Sequence, residues 1–236
     1  MSDADQKSQF IDGMKSAGAP LLAAAPFGAL FGALAVENGM TVFEATLMSA
    51  IVFAGASQMV GIDLFGAQIA PWLIVFSIFA VNFRHVLYSA VAGRRMKAFK
   101  PWQRYASFFF LVDPHFAETE QRAEKRIPIT FAWFMGGGLT WWVLWLFVSW
   151  LGALFGSLIE SPEAYGFDML LPIYFLSLVL AFRKRANWLP VVAASGIVAV
   201  LAFHFVGSPW HVSLGGIAGV VVAAIIGLPK DHRMVV

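Results

Sequence analysis

The chain has no cysteine among its 236 residues. Disulfides, thiol nucleophiles and thiolate metal sites are therefore excluded. Charge is scarce as well: Asp, Glu, Lys and Arg make up 13% of the sequence, and the formal net charge is only +2. The basic residues lie between apolar segments, so positive-inside loops account for them and nucleic-acid binding has no support. The five histidines are scattered, without the i, i+4 spacing of a helical metal site, so no metal and no cofactor is expected. Neither a nucleophile elbow nor a metal motif of a hydrolase is present. No stretch alternates at period two, which argues against a membrane β-barrel. Residues 1–15 are polar and mixed in charge, and they lack the apolar core and cleavage site of a secretory signal.

What is abundant is apolar. Hydrophobic residues make up 59% of the chain, and the mean hydropathy is +0.74. A water-soluble domain of this size could not bury so much apolar surface, so a multi-pass membrane protein is expected. Charge-free stretches cover 16–36, 45–62, 64–83, 127–159, 169–182 and 186–229. Most are long enough to cross an apolar core of about 30 Å, and the last is long enough to cross twice, breaking at Gly207-Ser208-Pro209-Trp210. The fold expected is an all-α, polytopic transmembrane bundle of about seven or eight crossings, with broken helices and a hint of an internal repeat. Residues 1–15 form a polar amino-terminal segment, 16–230 one transmembrane transport domain, and 231–236 a short tail.

Along the chain, Pro20 and Pro26 predict a first helix that is kinked or broken unless neighbours satisfy it. A second helix is expected to start near Val42, meet Gly55-Ala56-Ser57-Gln58 and continue to Asp63 and Gly66; a third runs from about Pro71 to Gly93. Arg94, Arg95, Lys97, Lys100 and Arg104 then read as a cytoplasmic loop. Residues 105–117 are apolar but interrupted by Asp113-Pro114-His115; they either re-enter the membrane or continue into the charged 118–126 stretch. Trp141, Trp142, Trp145 and Trp150 read as interfacial anchors or packing. Arg183-Lys184-Arg185 and the tail look cytoplasmic, and the acidic 160–168 loop external. Seven crossings put the 94–104 loop inside and the amino terminus outside; eight put both termini inside and that loop outside. The pentapeptide Gly28-Ala29-Leu30-Phe31-Gly32 recurs as Gly152-Ala153-Leu154-Phe155-Gly156, either by chance or as a mark of the repeats common in transporters.

Two constellations carry candidate chemistry. Asn82, Arg84, His85, Tyr88 and Ser89 share one arc of about 160° of a membrane helix, while Phe83, Val86 and Leu87 fill the other side. Charges at that depth are costly and face a cavity or a partner. Arg84 and His85 either handle substrate and protons or form a structural pair with Asp63 or Asp113; an imidazole there can titrate near neutral pH. The second constellation, Phe53-Ala54-Gly55-Ala56-Ser57-Gln58, suits either close helix packing or a broken helix whose backbone holds the ends of a zwitterion. Asp113 is either a proton carrier or counter-ion, or a helix cap before Pro114.

Gly28 after Pro26, then Phe53-Ala54-Gly55-Ala56-Ser57-Gln58, then Asn82-Phe83-Arg84-His85-Val86-Leu87-Tyr88-Ser89, in this order and spacing, resemble the AzlC/YgaZ family, the large subunits of branched-chain amino acid exporters. The resemblance covers nearly the whole chain. One departure is that Pro114 and His115 follow Asp113 where the family often has a second acidic residue. The resemblance implies export of hydrophobic amino acids across the bacterial or archaeal cytoplasmic (inner) membrane with a small AzlD/YgaH-type membrane subunit. The expected function is secondary, proton-coupled transport and not enzymatic. The expected substrate-binding residues are Gly55, Ser57, Gln58, Asn82, Arg84 and Tyr88, and the proton-coupling residues are His85 and Asp113. The alternatives are a membrane-embedded enzyme acting on a lipid-like substrate and a scaffold subunit of a membrane complex.

Overall fold

The computed structural model describes residues 3–66, 70–156, 169–207 and 210–227. Its ten elements are all helices: α1 (Asp3–Glu37), α2 (Val42–Val52), α3 (Gly55–Gly66), α4 (Pro71–Arg95), α5 (Pro101–Phe109), α6 (Asp113–Glu124), α7 (Phe131–Phe155), α8 (Leu170–Ala181), α9 (Trp188–Phe205) and α10 (Trp210–Ile226). Four stretches are long and apolar enough to cross a membrane, namely Pro20–Glu37, α4, α7 and α9; α2 and α10 are shorter apolar helices. The acidic loop at 160–168, Ser208, Pro209 and the tail lie outside the described residues, as does the side chain of Asp63.

The chain divides into two compact units, Met1–Gln68 with His85–Tyr174, and Ile69–Arg84 with Phe175–Val236. In the first unit, α1 runs without interruption through Pro20 and Pro26 and takes in the polar amino-terminal segment from Asp3 onward. It packs lengthwise on α7. A Cβ built at Gly13, Gly28 or Gly32 would strike Trp133, Val148 or Ser149 respectively, and one at Gly152 would strike the backbone of Ala29. The contacts rise in step on both helices, so α1 and α7 are parallel. The two copies of the Gly-Ala-Leu-Phe-Gly pentapeptide thus lie against each other. Small residues there let two backbones approach closely, the usual device of tight helix pairs in membranes.

Residues 42–66 do not continue as one helix. Thr41 caps α2 in a capping box: its hydroxyl accepts from the Glu44 amide at 3.2 Å, and its own amide donates to the Glu44 carboxylate at 2.7 Å. At Phe53 the backbone turns to φ 27° and ψ 52°, and α3 begins at Gly55. The side-chain amide of Gln58 reaches Ser49 Oγ at 2.9 Å. In a continuous helix residues nine apart are separated by about 13.5 Å along the axis. Ala45 and Ile62, equally far from the bend, share a buried cluster with Phe31, Ala35 and Ala153. α2 and α3 therefore form a hairpin that enters beside the carboxyl-terminal ends of α1 and α7 and returns to them.

α5 and α6 form the complementary hairpin at the opposite end. Trp102 of α5 meets Phe131 at the start of α7 (5.2 Å between rings). Further in, a Cβ at Gly138 would strike Phe110. From there α6 runs back: His115 lies on Trp133 and Phe134, and Arg122 bonds to the Pro128 carbonyl at 3.0 Å. Pro101 and Pro114 occupy first-turn positions, where a missing N–H costs nothing. The 105–117 segment is divided between α5 and α6, and α6 continues into the charged 118–126 stretch as far as Glu124. The second half of α4 ends here too, since Ala92, Met96 and Phe99 share a buried cluster with Trp133 and Phe134.

In the second unit, α9 and α10 form an antiparallel pair. Gly215 lies against Ala199 and Ser195, and Gly219 against Ser195 and Val191. Asn187, in the left-handed region at φ 62°, donates from its amide to the Gly227 carbonyl at 2.7 Å, tying the start of α9 to the end of α10. α10 meets the first half of α4 through Phe76 and Trp210 and through the Ser213 hydroxyl, which donates to the Ala80 carbonyl. Leu189, Ile197, Val200, Phe203 and Phe205 of α9 are exposed, an apolar surface suited to lipid.

Candidate functional site at the tips of two helical hairpins

The bends of the two hairpins meet inside the first unit. The rings of Phe53 and Phe109 are 6.2 Å apart, and Phe110 and Val112 pack against the buried cluster that holds Phe53, Phe27, Trp141 and Trp145. A non-glycine residue at positive φ costs on the order of 1–3 kcal/mol, so the Phe53 bend persists because its surroundings hold it. Gly55, the first residue after the bend, faces the rings of Phe27 and Trp145; an added Cβ would come within 2.7 and 2.9 Å of them.

Ser57 and Gln58 are fully buried. The Gln58 amide is a brace: Nε2 donates to Ser49 Oγ at 2.9 Å, and Oε1 accepts from Trp145 Nε1 at 3.0 Å. Its neighbour on α7, Trp142, donates to the Ala50 carbonyl at 3.0 Å, satisfying one of the carbonyls that the end of α2 releases. Trp141 donates to Glu118 Oε1 of the other hairpin at 3.1 Å. Three indoles from little more than one turn of α7 thus hold both hairpins by their N–H groups. Sequence reading took them for anchors or packing, yet their i, i+1, i+4 spacing after Gly136-Gly137-Gly138 was the signal that they share one inward arc.

At the second bend, Asp113 is the first residue of α6, not its cap; Val112 holds the cap position. A carboxylate in the first turn is favoured by the helix dipole. Tyr88 donates to Asp113 Oδ1 at 2.8 Å and stacks on Phe116 with ring centroids 4.4 Å apart. His85 meets Tyr88 edge-on at 5.6 Å. Of the residues singled out from sequence, His85, Tyr88 and Asp113 are therefore gathered at one tip, and Gly55, Ser57 and Gln58 at the other. Asn82 and Arg84 belong to the second unit, both half-buried; there the Arg84 guanidinium lies 5.5 Å from the centre of the Phe175 ring.

Glu118 is the residue that sequence reading does not single out, and His115 enters it only through the Asp113-Pro114-His115 interruption. His115 is completely buried; its Nε2 lies 3.0 Å from the Phe134 carbonyl and its Nδ1 3.2 Å from Glu118 Oε2. The carboxylate looked like part of a charged stretch, and only the three-residue spacing from His115 places both on one face of a helix.

Residues 20–159, more than half of the chain, match the family described as AzlC protein. The inner membrane protein YgaZ of Escherichia coli (strain K12) is 29% identical over 198 residues, covering 82% of this chain and 80% of that protein. An uncharacterized membrane protein of Archaeoglobus fulgidus is 30% identical over 88% of this chain and 87% of its own length, and one from Helicobacter pylori (strain 26695) is 28% identical over 75% and 79%. No solved structure matches. The chain is a membrane protein and belongs to the AzlC family.

Proposed function

We propose that this chain is the large subunit of a secondary exporter of branched-chain or other hydrophobic amino acids across the cytoplasmic membrane. Export is driven by protons, and a small AzlD/YgaH-type membrane subunit completes the transporter. The observation that carries this reading is the pair of broken hairpins whose bends meet tip to tip. A helix broken inside the membrane is tolerated where it is buried in protein or lines a cavity, and its ends offer N–H groups to a carboxylate and carbonyls to an ammonium group. The backbone of Gly55 to Ser57 supplies the first, with Gln58 holding the bend. Asn82, Arg84 and Tyr88 are the further substrate-binding residues of this proposal, and His85 and Asp113 handle protons. Chemistry on the substrate is not required of any of these residues, so the reading is non-enzymatic.

A membrane arrangement compatible with the contacts has α1, α4, α7, α8, α9 and α10 crossing, while α2–α3 and α5–α6 each dip in and return. With the start of α7 inside, the amino terminus, the basic 94–104 loop, residues 118–130, Arg183-Lys184-Arg185 and the tail are all cytoplasmic, as the distribution of Lys and Arg requires. The E. coli relative's description as an inner membrane protein agrees.

The test is efflux and counterflow of labelled valine, leucine and isoleucine in proteoliposomes, with and without the small subunit. Saturable transport lost in Arg84→Ala supports the exporter. Absence of transport of all three with the partner present removes this substrate class.

A further inference from the structure

We infer that the buried His115–Glu118 pair is a proton-binding site and acts with His85 and Asp113 in carrying the proton of the transport cycle; the second half rests on the function proposed above. The argument is a count of protons against contacts. The Phe134 carbonyl can only accept, so His115 Nε2, 3.0 Å away, must carry its hydrogen. His115 Nδ1 and Glu118 Oε2 are 3.2 Å apart, a distance that needs a hydrogen between them. A neutral imidazole has one N–H and an ionised carboxylate has none. Both contacts exist together only if the pair holds one proton more, either as imidazolium with carboxylate or as imidazole with carboxylic acid. The arrangement is the proton-loaded one.

Releasing that proton to water leaves either Nδ1 and Oε2, or Nε2 and the Phe134 carbonyl, facing each other as two acceptors. One of the two contacts must then break, and both hold α6 to itself and to α7. His115 has no room to adjust in place, because it is fully buried and Gly137 lies against its ring so closely that a Cβ there would come within 2.7 Å of Cε1. The Glu118 side chain is 10% exposed, so it is the end through which the proton leaves. Where the Nε2 contact is the one lost, α6 is released from α7 at this point of the hairpin whose bend touches Phe53 of the other hairpin.

The surrounding elements carry further charged and titratable groups, Lys7 and Lys15 of α1, Arg94 of α4 and Tyr105 of α5 among them, and several others are engaged with partners away from the pair. α7 has no Asp, Glu, Lys, Arg or His. From α4, Tyr88 donates to Asp113, with His85 against its ring, and Arg95 pairs with Glu120 at 3.4 Å. From α1, Asp12 pairs with Arg122 at 2.7 Å. From α5, Arg104 donates to the carbonyls of Phe99 and Lys97.

Glu118→Gln is the informative variant. Its amide nitrogen donates to His115 Nδ1 and its oxygen accepts from Trp141, so it imitates the loaded pair without a proton to lose. The full chain, with its small subunit, is reconstituted in vesicles and given a one-unit pH gradient. Coupling to one proton supports about tenfold leucine accumulation. The expected result is that the wild type accumulates leucine, while Glu118→Gln keeps counterflow but only equilibrates. Accumulation by Glu118→Gln equal to wild type overturns the proposal. If the wild type transports nothing, or the variant is inactive, 15N-histidine NMR of the detergent-solubilised chains decides. A His115 Nδ1 signal that changes with pH in wild type and is fixed in Glu118→Gln establishes the proton site independently of transport. A signal constant in wild type overturns it.

Discussion

Gln58→Leu tests the fold-back of α2 on α3 and the brace that maintains it. Leucine keeps much of the volume but removes one hydrogen bond to Ser49 and one from Trp145. Ser49 can turn its hydroxyl to its own helix, as serines on membrane helices do, whereas the Trp145 indole N–H is left in a site where the residue is only 8% exposed. An orphaned buried donor costs about 1–3 kcal/mol. Polar contacts within membrane bundles measure nearer the low end, about 0.6 kcal/mol on average. A loss of about 1–2 kcal/mol follows, which for a chain of this length corresponds to a fall of roughly 2–8 °C in Tm. Thermal unfolding in a fixed detergent measures it. The decisive part is a pair of double-mutant cycles with Ser49→Ala and Trp145→Phe. If Gln58 bridges both, each cycle gives a coupling of about 0.5–1 kcal/mol. Additive behaviour in both cycles would refute the bridge, and with it the placement of Ser49 beside Gln58 that distinguishes a hairpin from a straight helix.

Three further outcomes are expected. Gly152→Val places two methyl groups where the backbone of Ala29 lies, so α1 and α7 must separate; the yield of monodisperse protein should collapse, whereas Gly216→Val, at a position with open space, should not change it. Arg84→Ala should abolish amino-acid export while leaving membrane insertion and expression intact, as read by fractionation beside the transport assay. Because the chain has no cysteine, single cysteines report sidedness against no background. Lys97→Cys and Lys125→Cys should react with an impermeant maleimide only from the cytoplasmic face, and Asn38→Cys only from outside.

The residues at the heart of the candidate site were legible in the sequence, and the path of the chain through them was not. Gly55-Ala56-Ser57-Gln58 and Asp113-Pro114-His115 stood out because small and polar residues interrupt apolar runs, and both mark hairpin bends. Yet residues 42–66 have the length and apolarity of one straight crossing. Hydropathy is blind to direction, so two half-helices of roughly 16–18 Å that fold back look the same as one helix of twice that length. Pro20 and Pro26 do not break α1, which packs along α7, the case in which neighbours satisfy the freed backbone. The Gly-Ala-Leu-Phe-Gly recurrence has a packing cause, since the two copies lie along one parallel contact.

The orientation problem shows how the two hairpins matter together. Treating 42–66 as a crossing forced a choice between an outside amino terminus and an outside basic loop. Yet α1 and α7 are parallel, so the chain between them must cross an odd number of times. α4 supplies one crossing, and its end lies with the start of α7. The odd count is then met only if α2–α3 and α5–α6 both return to the side they entered, or both cross. The Ser49–Gln58 bond and the shared cluster of Ala45 and Ile62 exclude crossing for the first. The contacts of Trp102 and Arg122 with the same end of α7 exclude it for the second. Under the arrangement proposed above, two opposed hairpins place the basic 94–104 and 118–126 segments at one end of the first unit. The same fold brings Phe53 and Phe109 together at the depth where Gln58, Asp113 and the His115–Glu118 pair are held.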